Sequence, residues 1–397
     1  MSVYRKVLEY EDQLIEWRRE FHRFPELSFE EFHTFKRVVE ILQTMNHIQI
    51  EKGLGTPTSV IATITTGEGP VVALRADMDA LPIQEQTHTP YESQNPGVMH
   101  ACGHDAHTAI LLGAAKVLSV LAQSKAWEGT IKLIFQPAEE AQDEHGLSGS
   151  PYLLQAGVYD QVEAAFALHM CPWKKTGQLL INDGFSMASV DEFEATIYAT
   201  GGHGGYPEKS TDPIWMLSLI LPGLYGIISR RIAAAEKGVI SVGEIQAGNA
   251  TNIIPAKASI RGTIRSYTPT IRDQLERELH QVFQMVHSLG GEYRLNVSRG
   301  EPALYNDPYL NQIVRHSVRK IQTHIDLFED NFGMGGEDFG YVSQKLPATM
   351  FFLGCAVEED YSRDLHTPVF DIDESSLVLG VTILVESALA RLKQATI

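Results

Sequence analysis

Short, continuously apolar segments recur along this chain, separated by segments with helical periodicity. Four of these apolar runs are Val71–Leu74, Ile131–Phe135, Ala164–Leu168 and Thr349–Leu353. Uninterrupted runs of this length are typical of strands that are buried on both faces of a sheet. Residues 105–121, between the first two runs, have the pattern of a helix. The pattern therefore predicts an α/β fold in which a mixed sheet carries helices on both faces.

The first 45 residues are predicted to be helical with one interruption. Leu14, Trp17 and Phe21 recur at helical spacing, and the same spacing returns after residue 34. Pro25 interrupts the pattern, and the segment Ser28–Glu31 has the capping-box pattern that starts a new helix.

The middle of the chain has a different pattern, which predicts strand, helix, two strands, helix and strand. These six elements are predicted at Val190–Thr200, Pro213–Arg230, Gly238–Ala247, Ala256–Tyr267, Thr270–Leu289 and Tyr293–Ser298. This order is that of the ferredoxin-like motif, and 397 residues favour two domains. We therefore predict a discontinuous catalytic domain, residues 1–188 and 299–397, with an inserted ferredoxin-like α+β lid domain, residues 189–298.

Charge and composition exclude several partners. The formal net charge of −18 argues against binding to nucleic acid or to an anionic membrane surface, and favours a small-molecule substrate. The charged N-terminus lacks the apolar core of a signal peptide, and the three cysteines are too scattered for a disulfide framework. A cytoplasmic protein is expected.

The segment His100–His107, with sequence HACGHDAH, is rich in metal-binding side chains. A thiol two residues from an imidazole supplies two ligands from one turn, so Cys102 and His104 are candidate ligands, next to a helix whose predicted N-cap is Asp105. A lone cysteine is more often a small buried residue. The three histidines and a nearby pair of glutamates reverse that preference here, although His107 suits packing or support better than ligation and His100 fits either role.

Further candidate ligands follow the apolar runs. Glu139 and Glu140 follow the second run, and one could bind a metal ion while the other takes a proton from water. A solvated acidic turn is an equally good interpretation of this pair taken alone. His169 follows the third run and His366 lies near the C-terminus. Single histidines are usually structural, so these two gain weight only from the rest of the set.

Supporting roles are predicted for two aspartates and for three residues of the lid domain. Asp77 and Asp79 follow the first run and could orient metal ligands, or serve a loop or cap. The inserted domain has His203 between glycines, for which a flexible hairpin tip is the alternative interpretation. It adds Asn252 and Arg265, which are weak signals by themselves because exposed arginines are common on strands. The guanidinium of Arg265 suits a substrate carboxylate.

Five segments occur together in this chain: RADMDALP at 75–82, HACGHDAH at 100–107, QPAEE at 136–140, GGEDF at 335–339 and LHTP at 365–368. In this combination and order they resemble the aminoacylase/carboxypeptidase G superfamily of dinuclear metallohydrolases. The resemblance is greatest to its amidohydrolase branch, which includes hippurate hydrolases, N-acyl-amino-acid amidohydrolases and auxin-conjugate hydrolases, and it covers nearly the whole chain.

The resemblance implies hydrolysis of N-acyl-L-amino acids by a pair of divalent metal ions. It implies Glu139 as general base and acid, and contacts of His203 and Asn252, with Arg265 less certain, to the substrate or transition state. The implied metal ligands are Cys102, which bridges the two ions, and His104, Glu140, His169 and His366. Zn, Mn, Co and Ni all suit such mixed ligands.

The resemblance also implies a homodimer or higher homo-oligomer formed through the lid domain, with lid residues of one subunit reaching the site of its neighbour. A dipeptidase or carboxypeptidase on the same fold is the alternative activity. A metal-dependent binding protein without turnover is the rival from another class, and Glu139 beside a full ligand set argues against it.

Overall fold

A computed structural model describes residues 2–321, 323–357 and 363–394 of the protein. Residues 1, 322, 358–362 and 395–397 of the predicted catalytic domain lie outside the described residues. The helices are α1 Val3–Leu8, α2 Glu11–Arg23, α3 Phe32–Gln43, α4 His104–Ala122, α5 Gly149–Gln155, α6 Pro213–Arg231, α7 Pro269–Phe283, α8 Met285–Ser288, α9 Pro308–Lys320, α10 Phe339–Ser343 and α11 Ser376–Gln394.

The strands alternate with these helices along the chain. They are β1 Gln49–Lys52, β2 Val60–Thr65, β3 Val71–Asp77, β4 Thr130–Gln136, β5 Val162–Cys171, β6 Gln178–Leu180, β7 Gly184–Met187, β8 Ser189–Tyr198, β9 Gly202–His203, β10 Gly238–Ala247, β11 Ile253–Ile254, β12 Lys257–Ser266, β13 Glu292–Arg299, β14 Leu304–Asn306, β15 Asp326–Phe328 and β16 Ala348–Gly354.

Contacts divide the described chain into two compact units. The first comprises residues 1–184, 305–332 and 338–397, and the second comprises residues 185–304 and 333–337. In the first unit, described strands form a mixed sheet in the order β1-β2-β4-β3-β5-β16-β6-β15. The four apolar runs lie in β3, β4, β5 and β16, and these strands pair in parallel. The prediction of a mixed α/β sheet is confirmed.

The core of the first unit explains why these strands are continuously apolar. Helices α4 and α11 pack against β3 and β5, and α4 is buried along most of its length. By length and composition alone, α4 and α6 could each cross a membrane. α4 is mostly buried inside the first unit, however, and a core helix has the same apolar composition. Apolar side chains must therefore cover both the helix and the strands beneath it.

The second unit has the ferredoxin-like order of strands. Its described sheet runs β10-β12-β8-β13 with all neighbours antiparallel, and α6 and α7 pack against it. The alternating burial of β8 places Phe193, Ala195 and Ile197 in the core between the sheet and the helices. The predicted βαββαβ motif is therefore present.

One predicted helix start is wrong. Ser28 does not cap α3, because that helix begins at Phe32 directly after Glu31. The Ser28 hydroxyl instead donates a hydrogen bond of 2.6 Å to Oδ2 of Asp79. The buried Asp79 carboxylate takes this donor, and the first N–H groups of α3, those of His33 and Thr34, donate instead to the Glu26 carboxylate at 2.9 Å.

Candidate metal centre

Three parallel strands of the first unit bring acidic and imidazole side chains to one edge of the sheet. β3 ends at Asp77, β4 ends three residues before Glu139, and β5 carries His169 near its carboxyl end. Because β3 pairs in parallel with both β4 and β5, the three carboxyl ends lie side by side. Ligands usually bind at this edge of an α/β sheet.

Cys102 and His104 flank a glycine that the local backbone requires. Gly103 has a φ of 86°, and a Cβ on it would lie 3.0 Å from Cγ of Met170. Only glycine meets both conditions without strain. Because α4 begins at His104, this turn holds the thiol and the imidazole at the start of a rigid core helix.

The prediction that Asp105 caps this helix is wrong. Gly103 occupies the N-cap position, and Asp105 lies in the first turn. Its carboxylate accepts a hydrogen bond of 2.8 Å from Nε of Arg18 and lies 2.8 Å from Nδ1 of His22. The Arg18 side chain is fully buried, so its charge requires a buried carboxylate, and this pairing replaces a capping role.

Two groups of three candidate ligands share the thiol of Cys102. In each group, one ligand atom from every residue lies within 4.8 Å of the others; the groups are Cys102, His104 and His169, and Cys102, Glu140 and His366. The Cys102 Sγ atom is 3.4 Å from Nε2 of His169, and Nε2 of His366 is 3.4 Å from Oε1 of Glu140. The fold thus brings together all five predicted ligands, with the thiol where the two groups meet.

The outer nitrogens of two histidines are held in place by backbone carbonyls. Nδ1 of His104 lies 2.9 Å from the Asp79 carbonyl oxygen, and Nδ1 of His169 lies 2.7 Å from the Met170 carbonyl oxygen. A carbonyl only accepts hydrogen bonds, so each Nδ1 is the donor. Each Nε2 therefore points into the site, which is the arrangement that fixes metal-binding imidazoles.

Unsatisfied polar atoms indicate that this site suits a metal ion. Nε2 of His104 and Oε1 of Glu140 are buried, and neither makes a hydrogen bond among the described residues, although Oε1 has the ion-pair contact with His366 given above. Leaving such atoms unpaired costs about 1–3 kcal/mol each. A divalent cation would satisfy both atoms, and the donor set of thiol, imidazole and carboxylate fits transition metals rather than Mg²⁺ or Ca²⁺.

The electrostatics of the ligand cluster also favour a cation. Burial alone would lower the pKa of His104, but the carboxylates of Asp77, Asp79 and Glu140 raise it to about 10. Burial and the nearby carboxylates, led by Glu140, raise the pKa of the Cys102 thiol well above its usual value. A bound cation would offset this negative charge and stabilise the thiolate.

Asp79 fixes the turn that carries the two glutamates. Its carboxylate accepts hydrogen bonds from the backbone N–H groups of Glu139, at 3.1 Å, and Glu140, at 2.9 Å. Glu140 joins the group around Cys102, whereas Oε1 of Glu139 accepts a hydrogen bond of 3.4 Å from the Asp338 N–H. Both carboxylates also lie near His104, with Oε2 of Glu139 4.0 Å from its Nε2, so the turn holds the predicted ligand and the predicted proton acceptor beside the same imidazole.

Asp77 and the two remaining histidines of the HACGHDAH segment act around the site. Nδ1 of His107 donates a hydrogen bond of 2.6 Å to Asp77, and its Nε2 accepts one of 2.9 Å from the Met170 N–H. Both ring nitrogens of His107 therefore already have hydrogen-bond partners, and its supporting role stays a prediction. His100 is buried and belongs to neither group around Cys102.

Two carboxylates that support the site were not identified from the sequence. Glu31 accepts a hydrogen bond of 2.8 Å from the N–H of Ala138, whose φ is 53°, and so fixes the residue before Glu139. Burial and the nearby Asp79 raise the pKa of Glu31 to about 7. Asp338 accepts a hydrogen bond of 2.8 Å from Arg75. In the sequence, Asp338 is marked only by its place in the segment GGEDF, and Glu31 only by its place in the predicted capping box.

In the second unit, a short strand pair brings His203 and Asn252 together. β9 contains His203 and pairs with β11, which directly follows Asn252, and the Gly204 N–H donates a hydrogen bond of 2.9 Å to the Asn252 carbonyl. Both residues are exposed. Their shared location is suitable for contact with a molecule outside this unit.

Arg265 does not join this pair within the unit. It lies towards the far end of β12, opposite Val190, and its Nη1 donates a hydrogen bond of 2.9 Å to the Met334 carbonyl. Strands rise by about 3.3 Å per residue, so Arg265 is roughly 26 Å along β12 from Lys257, the residue nearest β11.

A cluster of thiol, imidazole and carboxylate ligands, exposed only at His366, together with an additional glutamate is typical of a metal-dependent hydrolase. The particular family follows from comparison with known proteins. The profile of Peptidase family M20/M25/M40 matches residues 73–390. The chain belongs to this family, and the resemblance drawn from its motifs is confirmed; the protein is a metallo-amidohydrolase.

Relatives with hydrolase activities match the chain almost from end to end. It is 37% identical to thermostable carboxypeptidase 1 of Saccharolobus solfataricus over 94% of each chain. It is also 37% identical to N-acetyl-L-cysteine deacetylase of Bacillus subtilis, over 95% of this chain and 88% of the relative. The crystal structure of the Bacillus subtilis YXEP protein, described as a dinuclear metal-binding M20 peptidase, superposes with a TM-score of 0.84 at 32% identity, covering 97% of this chain and 99% of that one.

Proposed function

We propose that the protein hydrolyses the amide bond of N-acyl-L-amino acids, with Glu139 as general base and acid beside two divalent metal ions. This proposal rests mainly on the position of Glu139, which directly precedes Glu140 in a turn whose backbone N–H groups are fixed by Asp79. The proposed ligands are Cys102, His104, Glu140, His169 and His366. The deacetylase relative supports the choice of an N-acyl substrate.

The bound metal ions would polarise the amide carbonyl and lower the pKa of a water molecule. Glu139 then takes a proton from the attacking water and delivers it to the leaving nitrogen as the carbon–nitrogen bond breaks. Its turn is braced by Asp79 and, through Ala138, by Glu31, so the carboxylate keeps one position while the proton moves.

We assign substrate contacts to the lid domain, residues 189–298. His203 stabilises the oxyanion of the transition state, and Asn252 and Arg265 contact the substrate carboxylate. Within one chain Arg265 is far along the sheet from the other two, which supports a site completed by two subunits. We propose that His203 and Asn252 serve the site of the neighbouring subunit in a homodimer.

Helix α6 supports the lid domain as the dimer interface. Its side chains Ile214, Trp215, Leu219 and Tyr225 are each at least 40% exposed, although α6 is as apolar as a core helix. β10 is one of the two edge strands of the same described sheet and packs against α6. An apolar helix face beside an open strand edge is a surface that a second copy can cover.

Dimerisation through α6 predicts a separable variant. Leu219→Glu is expected to give monomers in sedimentation experiments, because it places a charge in the apolar interface. Tyr309→Glu, at an exposed aromatic residue on α9, is the matched control and should leave the dimer intact. A Leu219→Glu protein that sediments as the wild type would contradict this interface.

The contribution of His203 to the neighbouring site predicts complementation. Glu139→Gln and His203→Ala should each be inactive alone, whereas co-expression should restore about one quarter of wild-type activity, since half of the dimers are mixed and each has one complete site. If mixed dimers isolated with two affinity tags are inactive, His203 acts within its own subunit.

The substrate class is tested with metal-free protein reconstituted separately with Zn, Mn, Co and Ni. We expect release of free amino acid from N-acetyl and N-benzoyl amino acids, with little cleavage of dipeptides. The carboxypeptidase relative favours peptide cleavage as the alternative, and faster turnover of dipeptides or of peptide C-termini would establish it.

We also propose a cytoplasmic location for the protein, which the three free and buried cysteines support.

A further inference from the structure

A row of aromatic side chains extends from the proposed metal ligand His169. Phe332 stacks on Phe352, with ring centroids 4.1 Å apart and planes inclined by 22°, and Trp173 lies 4.9 Å from Phe332. The Phe332 ring is 5.3 Å from the His169 ring. We name Trp173, Phe332 and Phe352 the aromatic wall. All of its members belong to the first unit.

The strand register explains why the aromatic wall lies beside the site. Phe352 on β16 is the direct neighbour of His169 on β5, so its buried ring lies against that of the histidine. Trp173 follows the end of β5, on the edge of the sheet where the ligands converge. Phe332 fills the space between Phe352 and Trp173.

Burial distinguishes the members of the wall. Phe352 is fully buried, whereas Trp173 and Phe332 are only partly buried and keep aromatic surface available. Both phenylalanine rings lie against His169, at 5.3 Å for Phe332 and 6.1 Å for Phe352, so packing on the histidine does not use the exposed surface of Trp173. Aromatic surface beside a reacting centre offers a binding face to planar apolar groups, which prefer stacked or edge-to-face contacts.

We propose that the aromatic wall selects substrates with a planar apolar group next to the scissile amide, and that Trp173 and Phe332 determine this specificity. The inference rests on the proposed function, since it names the substrate class of the same site. Either the acyl group or the amino-acid side chain could supply the planar group, and the experiment separates these two sources.

Three substrates test the proposal with metal-loaded enzyme: N-acetyl-L-alanine, N-benzoyl-L-alanine and N-acetyl-L-phenylalanine. We expect kcat/KM to be about tenfold or more higher for one aromatic substrate than for N-acetyl-L-alanine. The faster substrate identifies the source of the planar group. Trp173→Ala and Phe332→Leu should bring the ratio of the two kcat/KM values close to one, mainly by raising KM for the aromatic substrate, with metal content measured in the same samples. Trp173→Phe should restore most of the preference, and Tyr309→Ala is the control for loss of an exposed aromatic residue.

Calorimetry with the Glu139→Gln variant gives a readout independent of turnover. The preferred aromatic substrate should bind it about tenfold more tightly than N-acetyl-L-alanine, and Trp173→Ala should remove the difference. Equal kcat/KM for all three substrates, or a uniform loss in Trp173→Ala, would overturn the role of the wall. Failure of wild type to hydrolyse any of them would overturn the proposed function alone, because the binding measurements still decide whether the wall recognises planar groups.

Discussion

Glu139→Gln is expected to lower kcat by at least about 100-fold while the protein keeps its metal ions. Glutamine has nearly the same shape, so the turn held by Asp79 should persist, but an amide cannot accept and return a proton. Glu140, the proposed ligand, is unchanged in this variant. Steady-state hydrolysis of an N-acyl amino acid, together with metal analysis of the same sample, measures both quantities.

A matched control lies in the same acidic segment. The Glu144 side chain is 88% exposed, so Glu144→Gln removes the same charge without touching the site and should keep wild-type activity. A metal-replete Glu139→Gln enzyme with substantial turnover would refute the role of Glu139. Loss of metal in this variant would instead identify Glu139 as a ligand.

Cys102→Ala is expected to remove both metal ions and all activity. The thiol belongs to both groups of candidate ligands, so its loss leaves two protein ligands in each. The remaining imidazole and carboxylate groups would bind a divalent ion weakly, since protein sites generally need three or four ligands. Elemental analysis after desalting should find less than one metal ion per chain.

Cys171→Ala separates loss of a ligand from loss of packing. Cys171 is also a free and fully buried cysteine, and it lies in the same sheet. Both variants should be destabilised by a small cavity. Only wild type and Cys171→Ala should show a rise in Tm when metal is added, because only they bind it in the folded state. A normal metal-induced rise in Cys102→Ala would contradict the shared thiol ligand.

Much of the fold was predictable because the buried strands leave a simple pattern. The apolar runs that became β3, β4, β5 and β16 are long enough to be recognised, and chemistry-bearing residues follow three of them. The alternating β8 and the order of elements around it likewise predicted the ferredoxin-like unit. Short edge strands such as β1, with mostly exposed residues, have no comparable signal.

The errors and omissions have a common physical cause, which is pairing between distant residues. Ser28 and Asp105 have good local capping patterns. In the folded protein, however, Ser28 donates a hydrogen bond to Asp79, and Asp105 accepts one from Arg18. Glu31 looked like part of a capping box and instead holds Ala138, more than one hundred residues away. Local sequence does not contain these partners, so only the tertiary structure reveals them.

The most direct test of the proposed dinuclear centre is a metal titration of the metal-free protein during hydrolysis of an N-acyl-L-amino acid. We predict no release of amino acid without metal and a linear rise in activity that reaches its plateau at two ions per chain. The Glu139→Gln variant should bind the same two ions in parallel calorimetry. Full activity in metal-free protein, or a plateau at a single ion per chain, would contradict the two-metal hydrolase described above.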